Sequence, residues 1–421
     1  MQYNVLIELV SEIGCRLARA GAETYRIEES VNRIFAAYGI KSTAYSIPNT
    51  LIISILGDDG TPITRLCRIG SQATDLDAVE CYSNLSRRIC AEKPQPEQAL
   101  EWVQQAESAR KFYGFYAYLL GNVLAASGFT LFFGGSLRDS LCAAICGLLL
   151  GIVTYALRKV NTNTFFQTIA GAFVMALAAY AAAALHLTDN VNTAIIGTLM
   201  LLVPGLLFTN ALRDIIFGDT NSGINRIVAV VLIAAAIALG TGAAWNVASS
   251  LWKISVIAPA PSVSPVLQCT MSIVACSGFV FLFNIHGGGN ILCLLGGCGT
   301  WAVVCFVQYC GGSELLSYFL ATIAASVFSE VMARVRKYPA ISYLTVSILP
   351  MLPGAGIYYA AHAIVSGNMS LAGSYGMRTL AISGSMAVAI LLVVTTFRVL
   401  QGQLMRRKAD RANADSDEKN A

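Results

Sequence analysis

Two hydrophobic rhythms divide the chain. Over residues 3–20 apolar positions recur at Leu6, Leu9, Ile13 and Leu17, the spacing of one helical face. Gly21 interrupts this stripe. It resumes at Ile27, Val31, Ile34 and Tyr38, with Glu23, Arg26, Glu28, Glu29, Asn32 and Arg33 falling largely on the opposite face. The stretches "KSTAYSIP", "TLIISILG" and "TPITRLCRIG" then predict strands, with "GDDG" at 57–60 as a hairpin turn. Two further helices are predicted near 74–91 and 95–110. Residues 1–111 therefore predict a small α+β domain, expected on the cytoplasmic side.

From Phe112 the rhythm changes to long apolar runs. A membrane helix needs about 20 mostly apolar residues to cross the hydrocarbon core. Ten stretches qualify, at roughly 114–133, 139–157, 164–186, 191–209, 226–250, 267–284, 290–309, 314–333, 340–365 and 375–398. Several carry Gly or Pro, which membrane helices tolerate where neighbours cover the freed backbone groups.

These ten spans fall into two similar halves. "LMLLVPGLLFTNAL" holds Pro204 and Gly205, and "VSILPMLPGAGIYYA" holds Pro353 and Gly354, 149 residues later. "TFFQTIAGAFVMALAAYAAA" is matched by "ELLSYFLATIAASVFSEVMA" at nearly the same offset. Five spans per half is an odd number, so the second half is expected to enter from the opposite side, giving inverted repeats. The predicted fold is a polytopic α-helical membrane protein. The first repeat spans 112–257, the second 267–400, and "APAPSVSPV" at 258–266 is an extended external linker. Residues 401–421 form a charged tail, expected to be cytoplasmic. Inverted repeats with helices broken at matching positions point to a secondary transporter. Each Pro–Gly pair either exposes backbone groups to a polar substrate or only kinks a packed helix.

Composition supports the membrane assignment. Only 12% of the residues are charged, half the roughly 25% of soluble domains. Residues 1–111 hold 12 of the 28 basic and 14 of the 24 acidic side chains. With the head inside, only Arg138, Lys253 and Arg378 among the basic residues face outward, as the positive-inside rule requires. The net charge of +4 is too small and dispersed for nucleic acid, and no basic stripe interleaves with aromatics. The first residues, amphipathic and acidic, do not read as a signal peptide. No two of the twelve cysteines have C-x-x-C spacing, and Cys293, Cys298, Cys305 and Cys310 lack histidine or carboxylate neighbours at metal spacing, so no metal and no cofactor is expected.

The richest polar cluster is "FTNALRDIIFGDTNSGINR", with Asn210, Arg213, Asp214, Asp219, Asn221 and Arg226 at the inner edge of the fourth and fifth spans. The arginine fork can hold a substrate carboxylate, and an aspartate can hold an ammonium or a coupling proton. A solvated hairpin with Asp214 paired to Arg226 explains the same residues. Asn122, beside Gly121 and deep in the first span, must find a polar partner. Glu330 and Arg334 predict an i,i+4 ion pair, and Asp139, Asp189 and Glu314 read as helix-end residues. "GLLLG" at 147–151 predicts close helix packing, and "HGGGN" at 286–290 a glycine-rich entry to a span. The histidines His186, His286 and His362 are scattered near span ends, a poor arrangement for a proton relay.

The head motif "GAETYRIEESVNRIFAAYG", together with "LLVPGLLFTNALRDIIFGDTNSGINRI" and "LPMLPGAGIYYAA", resembles the threonine/serine exporter family over nearly the whole chain. The resemblance implies an export carrier of the bacterial plasma (inner) membrane, moving L-threonine and L-serine and coupled to the proton gradient. In some relatives the halves are separate chains, and some of those are linked to dicarboxylates such as succinate. A dicarboxylate exporter is therefore the alternative on the same fold, and it would want more positive charge on the pathway than Arg213 and Arg378 supply. The alternative of another class is a membrane-anchored sensor or enzyme acting through the head. Against it, the head has no histidine and no phosphate loop to accompany Glu23, Glu28 and Glu29. Glu23, Arg26 and Glu28 are expected either on a solvated face or as contacts that gate the inner mouth. The expected partners are a small polar substrate, the lipid bilayer and protons; a homo-oligomer is left open.

Overall fold

The computed structural model describes all residues except 1, 2, 59, 71, 253–262, 337, 366 and 421, with backbone only at 365, 401, 402 and 404–420. The expected linker therefore lies largely outside the described residues.

The head contains α1 (Tyr3–Arg19), α2 (Thr24–Ala37), β1 (Ser42–Ile47), β2 (Thr50–Leu56), β3 (Pro62–Arg68), α3 (Leu76–Glu92) and α4 (Pro96–Ala109). The strands form one antiparallel sheet in the order β1-β2-β3. Leu6, Leu9, Ile13 and Leu17 of α1 are fully buried against Ile27, Val31 and Ile34 of α2 and Leu51 and Ile53 of β2. The turn between α1 and α2 needs glycine. Gly21 has φ +82, and a Cβ there would lie 2.9 Å from the Ala73 carbonyl oxygen.

The remaining helices are α5 (Phe115–Phe132), α6 (Leu137–Lys159), α7 (Thr164–Ala184), α8 (Val191–Leu199), α9 (Gly205–Phe217), α10 (Thr220–Trp252), α11 (Pro265–Leu282), α12 (Gly289–Tyr309), α13 (Glu314–Arg336), α14 (Ala340–Ser347), α15 (Gly354–Val365) and α16 (Met369–Asn420). A single 3-10 turn, Leu349–Met351, follows α14. Among the described residues, eight helices are long and apolar enough to cross a membrane: α5, α6, α7, α10, α11, α12, α13 and the first part of α16. The segment from α14 to α15 is a bent pair, turned by 41°, that makes nine if it counts as one span. The protein is thus a polytopic, mainly helical membrane protein.

Ten continuous spans are not what is observed. The stretch 191–209 is two helices, α8 of 9 residues and α9 of 13, each too short to cross alone. The physical cause is Pro204, which has no N–H to continue a helix. The stretch 340–365 is broken in the same way before Gly354.

Glycine sets a close helix crossing. A Cβ on Gly128 of α5 would lie 2.5 Å from the Ala275 nitrogen of α11, and one on Gly278 of α11 would lie 2.5 Å from the Ala125 nitrogen of α5. The contact is reciprocal, since Ala275 and Gly278 each follow their counterparts Ala125 and Gly128 by 150 residues. Gly147 and Gly151 similarly seat α6 on α5, against Asn122, so "GLLLG" packs within the chain.

The head rests on one end of the bundle. Leu76 N–H donates to the Phe283 carbonyl at 2.9 Å, and Tyr113 stacks on His286 with ring centroids 4.2 Å apart. Ser222 Oγ donates to the Ser46 carbonyl at 3.4 Å, and Asn221 Nδ2 to Tyr45 Oη at 3.1 Å. Ile341 at the start of α14 is buried in the head's own core cluster, and the Arg398 guanidinium lies 4.4 Å from the Tyr25 ring centre.

Because backbone meets backbone at Gly128, G128V is expected to destabilise the protein by about 1–3 kcal/mol through overpacking. At Gly299, where a Cβ meets nothing within 4 Å, G299A is expected to be neutral or slightly stabilising. Thermal unfolding in detergent checks both, and equal effects at the two sites would contradict the packing assignment.

Candidate transport site

The two helix breaks share their local geometry. Gly205 N–H donates back to the Val203 carbonyl at 2.9 Å, closing a tight turn around Pro204 at φ −81, ψ 44. Gly354 N–H donates to the Leu352 carbonyl at 2.7 Å around Pro353. Both are three-residue turns of the inverse-γ pattern. They also face each other. A Cβ on Gly205 would lie 3.0 Å from Leu352 Cβ, and one on Gly354 would lie 3.0 Å from Val203 Cγ1. Leu352 follows Val203, and Gly354 follows Gly205, by the same 149 residues. The structure therefore brings Pro204, Gly205, Pro353 and Gly354 together where α9 and α15 begin.

The helices that form these breaks carry hydroxyls with nothing to bond. Thr209 Oγ1 on α9 and Ser347 Oγ at the end of α14 are fully buried and have no hydrogen-bond partner. Ser383 Oγ on α16, which packs against α9 and α15, is in the same state. Buried polar groups are ordinarily paired, so unpaired ones mark a place where a polar partner fits. Sequence reasoning passed over these three residues, because Ser and Thr in membrane helices usually bond their own i−4 carbonyl.

A second cluster lies further along α9. Arg213 is eight residues past Gly205, about 12 Å away at ~1.5 Å per residue, so the charged cluster and the breaks are separate places. Arg213 Nη1 donates to Glu23 Oε1 of the head at 2.5 Å, and Arg213 Nη2 lies 3.9 Å from Asp214 Oδ1. Arg226 Nε lies 3.0 Å from Asp214 Oδ2, close enough for an ion pair but not aligned as a hydrogen bond. Arg26 Nε closes the series at 3.5 Å from Glu23 Oε2. The charges alternate along Arg26, Glu23, Arg213, Asp214 and Arg226, and cross the seam between head and bundle. Tyr25 stacks on Phe217 beside them, with centroids 6.1 Å apart.

Glu23 thus does not sit on a solvated face: it is only 7% exposed. Burial pushes its carboxyl up, but Arg213 and Arg26 overcome this and hold it below the usual carboxylate range. Glu28 differs. Burial, with Asp219 adding to it, raises its carboxyl against the pull of the Ser46 N–H that it accepts at 2.8 Å. Asp219 is half-buried in the turn before α10, and Asn210 is half-buried on α9. Asn122 stands apart from both clusters, with Nδ2 donating to the Tyr118 carbonyl of its own helix at 2.8 Å. Glu330 and Arg334 form the expected i,i+4 pair at 2.5 Å. Asp139 caps α6 from within its first turn and also accepts from the Asp189 and Asn190 N–H groups. Among the described residues no group of three or more His, Cys, Asp or Glu side chains could hold a metal.

A family model described as "Putative threonine/serine exporter" matches residues 8–248, and another described as "Threonine/Serine exporter" matches residues 268–396. The chain belongs to the threonine/serine exporter family. It is 24% identical over 400 residues to the "Threonine/serine exporter" of Corynebacterium glutamicum, covering 92% of this chain and 81% of that one. It is 21% identical over 371 residues to the "Probable threonine/serine exporter" of Mycobacterium tuberculosis, covering 85% and 70%. No solved structure matches the chain. This family is one of transporters, and the eight long apolar helices agree with that membership.

The Glu23–Arg213 pair makes a measurable prediction. Removing one partner of a buried pair costs about 3–5 kcal/mol. In a cycle of E23A, R213A and the double variant, the double is expected to lose clearly less stability than the sum of the singles, read by thermal unfolding. Strictly additive losses would contradict the pairing. Because Glu23 titrates lower folded than unfolded, its contribution is full above its unfolded value of about 4.3 and disappears as pH falls through the folded value.

Proposed function

We propose that this chain is a secondary active exporter of small polar amino acids, with L-threonine and L-serine as substrates, in a bacterial plasma membrane. The single observation that carries the reading is the reciprocal packing of the two broken helices, Val203–Gly205 against Leu352–Gly354. Half-helices meeting at the centre of a membrane bundle supply backbone N–H and carbonyl groups without intrahelical partners. An amino acid carries both charges and needs donors and acceptors together. The buried, unpartnered hydroxyl of Thr209, four residues past Gly205 on α9, is a suitable complement for a hydroxyl-bearing side chain.

On this reading the bundle is two inverted five-span repeats, with the broken segments as the fourth and ninth of ten crossings. The first half starts against the head at Phe115, whereas α11 starts at the far end and finishes against the head at Phe283. That opposite sense, and the reciprocal α5–α11 contact, support inversion. The head and both termini then lie in the cytoplasm, in keeping with the bias of basic residues. The head acts as an inner gate. While Glu23 holds Arg213 and Tyr25 covers Phe217, the inner end of α9 is closed, and release of the head opens it. Coupling to the proton gradient fits a buried Asp214 whose Oδ2 lacks a hydrogen-bond donor.

The dicarboxylate alternative is disfavoured by what the arginines do. Arg213 is held by Glu23, and Arg378 is gripped by Glu314 through contacts of 2.6 and 2.9 Å. Neither is left to hold a second carboxylate. Nor is catalysis by the head proposed, since Glu23 is held between Arg213 and Arg26.

Counterflow in proteoliposomes loaded with labelled threonine, serine or succinate tests this reading, with and without a pH gradient. Threonine and serine are expected to exchange and succinate not, with net flux rising when the gradient is imposed. G354A, whose Cβ would press on Val203 Cγ1 at 3.0 Å, is expected to lower threonine flux at least about tenfold (1.4 kcal/mol on the barrier) while the folded protein persists. Flux of succinate alone, or of none of the three, would overturn the assignment.

A further inference from the structure

In the head, α1 runs along strand β3. Arg65 Nη2 of β3 lies 3.7 Å from Glu8 Oε1 of α1. Two residues further along β3, Cys67 points to the same face of the sheet as Arg65. Its neighbour across the ladder is Leu51 of β2. Leu51 is fully buried beneath α1, where a Cβ on Gly14 would lie 2.5 Å from Leu51 Cδ2. Directly opposed residues of an antiparallel pair share a face, about 4.5–5.5 Å apart. Cys67 is therefore set beside the part of α1 that carries Gly14 and Cys15. Cys15 belongs to the buried core of the head, and Cys67 packs against that core. The Cys15 thiol donates to the Cys67 sulfur.

The two thiols are not alike. Cys15 is buried, whereas Cys67 is half-buried on β3, the edge strand of the sheet among the described residues. The hydrogen bond from Cys15, aided by the Arg65 guanidinium, outweighs burial and holds the Cys67 thiol down at about 6. The same hydrogen bond, with burial, pushes Cys15 up. The other two head cysteines, Cys81 and Cys90, are both raised by burial. At neutral pH the pair thus sets a thiolate near the sheet edge against a protonated thiol.

We propose that Cys67 and Cys15 form a reversible modification site for hydroperoxides, with Cys67 as the reacting thiolate and Cys15 as the thiol that resolves it. The Cys67 sulfur attacks one oxygen of the hydroperoxide. The O–O bond breaks, a sulfenic acid forms on Cys67, and the departing alkoxide takes a proton from water and leaves as the alcohol. Cys15 then attacks the Cys67 sulfur. The S–O bond breaks, and the hydroxide leaves as water with the Cys15 proton. Two thiols and one hydroperoxide give one disulfide, one alcohol and one water; the sulfurs lose the two electrons that the peroxide gains. The first step also removes the Cys67 negative charge that keeps Cys15 protonated, and so prepares the second. The bond braces α1 against β3, in the domain that meets the bundle at Glu23 and Ser46.

The test exposes the full chain in detergent to graded hydrogen peroxide at pH 7. Free thiols are then blocked, the protein is reduced, and the released thiols are labelled and mapped by peptide mass spectrometry. Cys67 is expected to oxidise at least about tenfold faster than Cys81 and Cys90, from its larger thiolate fraction. It is expected to appear with Cys15 as one disulfide that dithiothreitol reopens. In C15S, Cys67 is expected to stop at the sulfenic acid and be trapped by dimedone; in C67S, Cys15 is expected to stay reduced. Oxidation of Cys67 no faster than that of Cys81 and Cys90, or the lack of a Cys15–Cys67 disulfide, would overturn the proposal. None of these readouts uses transport, so the result is independent of the exporter assignment.

Discussion

The buried charge series from Arg26 through Glu23, Arg213 and Asp214 to Arg226 constrains everything around it. A charge taken out of water is expensive unless it is paired, and breaking such a pair without readmitting water is more expensive still. Glu23 belongs to the head and Arg213 to the bundle, so neither is stable alone in its present burial. Two arrangements satisfy the electrostatics: head and bundle closed over the series, or parted with water between them. Two such arrangements would suit the proposed gate, and desolvation rather than a flexible hinge would separate them.

The second constraint is the meeting of the two proline breaks. Proline removes an N–H, and glycine permits the close approach that follows. Each break alone would be a kink. Packed reciprocally, as Gly205 on Leu352 and Gly354 on Val203, they become one central feature made by both halves. The α5–α11 crossing, with glycine against backbone on both sides, lets the halves approach closely enough for this. The charge series and the breaks are joined by α9, which begins at Gly205 and carries Arg213 to Glu23 of the head.

Much of this was legible in the sequence. The helical stripe of Leu6, Leu9, Ile13 and Leu17 and the β-branched runs give the elements of the head, because burial enforces their periods. The long apolar runs give the membrane helices, because lipid demands length. What hydropathy could not separate was a continuous span from two half-helices. Residues 191–209 are mostly apolar, and it is Pro204, with no N–H to continue a helix, that splits them. Glu23 was left between a solvated face and a contact at the inner mouth for another reason. Its partner Arg213 is 190 residues away, and helical periodicity sees only near neighbours. Thr209, Ser347 and Ser383 carried no signal at all, since an unpaired hydroxyl is visible only once every neighbour is in place.

The central claim is that the head must leave the bundle during transport. Cysteines at positions 46 and 222, where Ser222 now donates to the Ser46 carbonyl at 3.4 Å, can be joined by a short thiol crosslinker after the twelve native cysteines are replaced. Threonine efflux from loaded vesicles is then compared for the linked protein and for the same protein after the linker is cleaved. Efflux should stop when the head is tethered and return when it is freed. Equal efflux in both states would contradict the account.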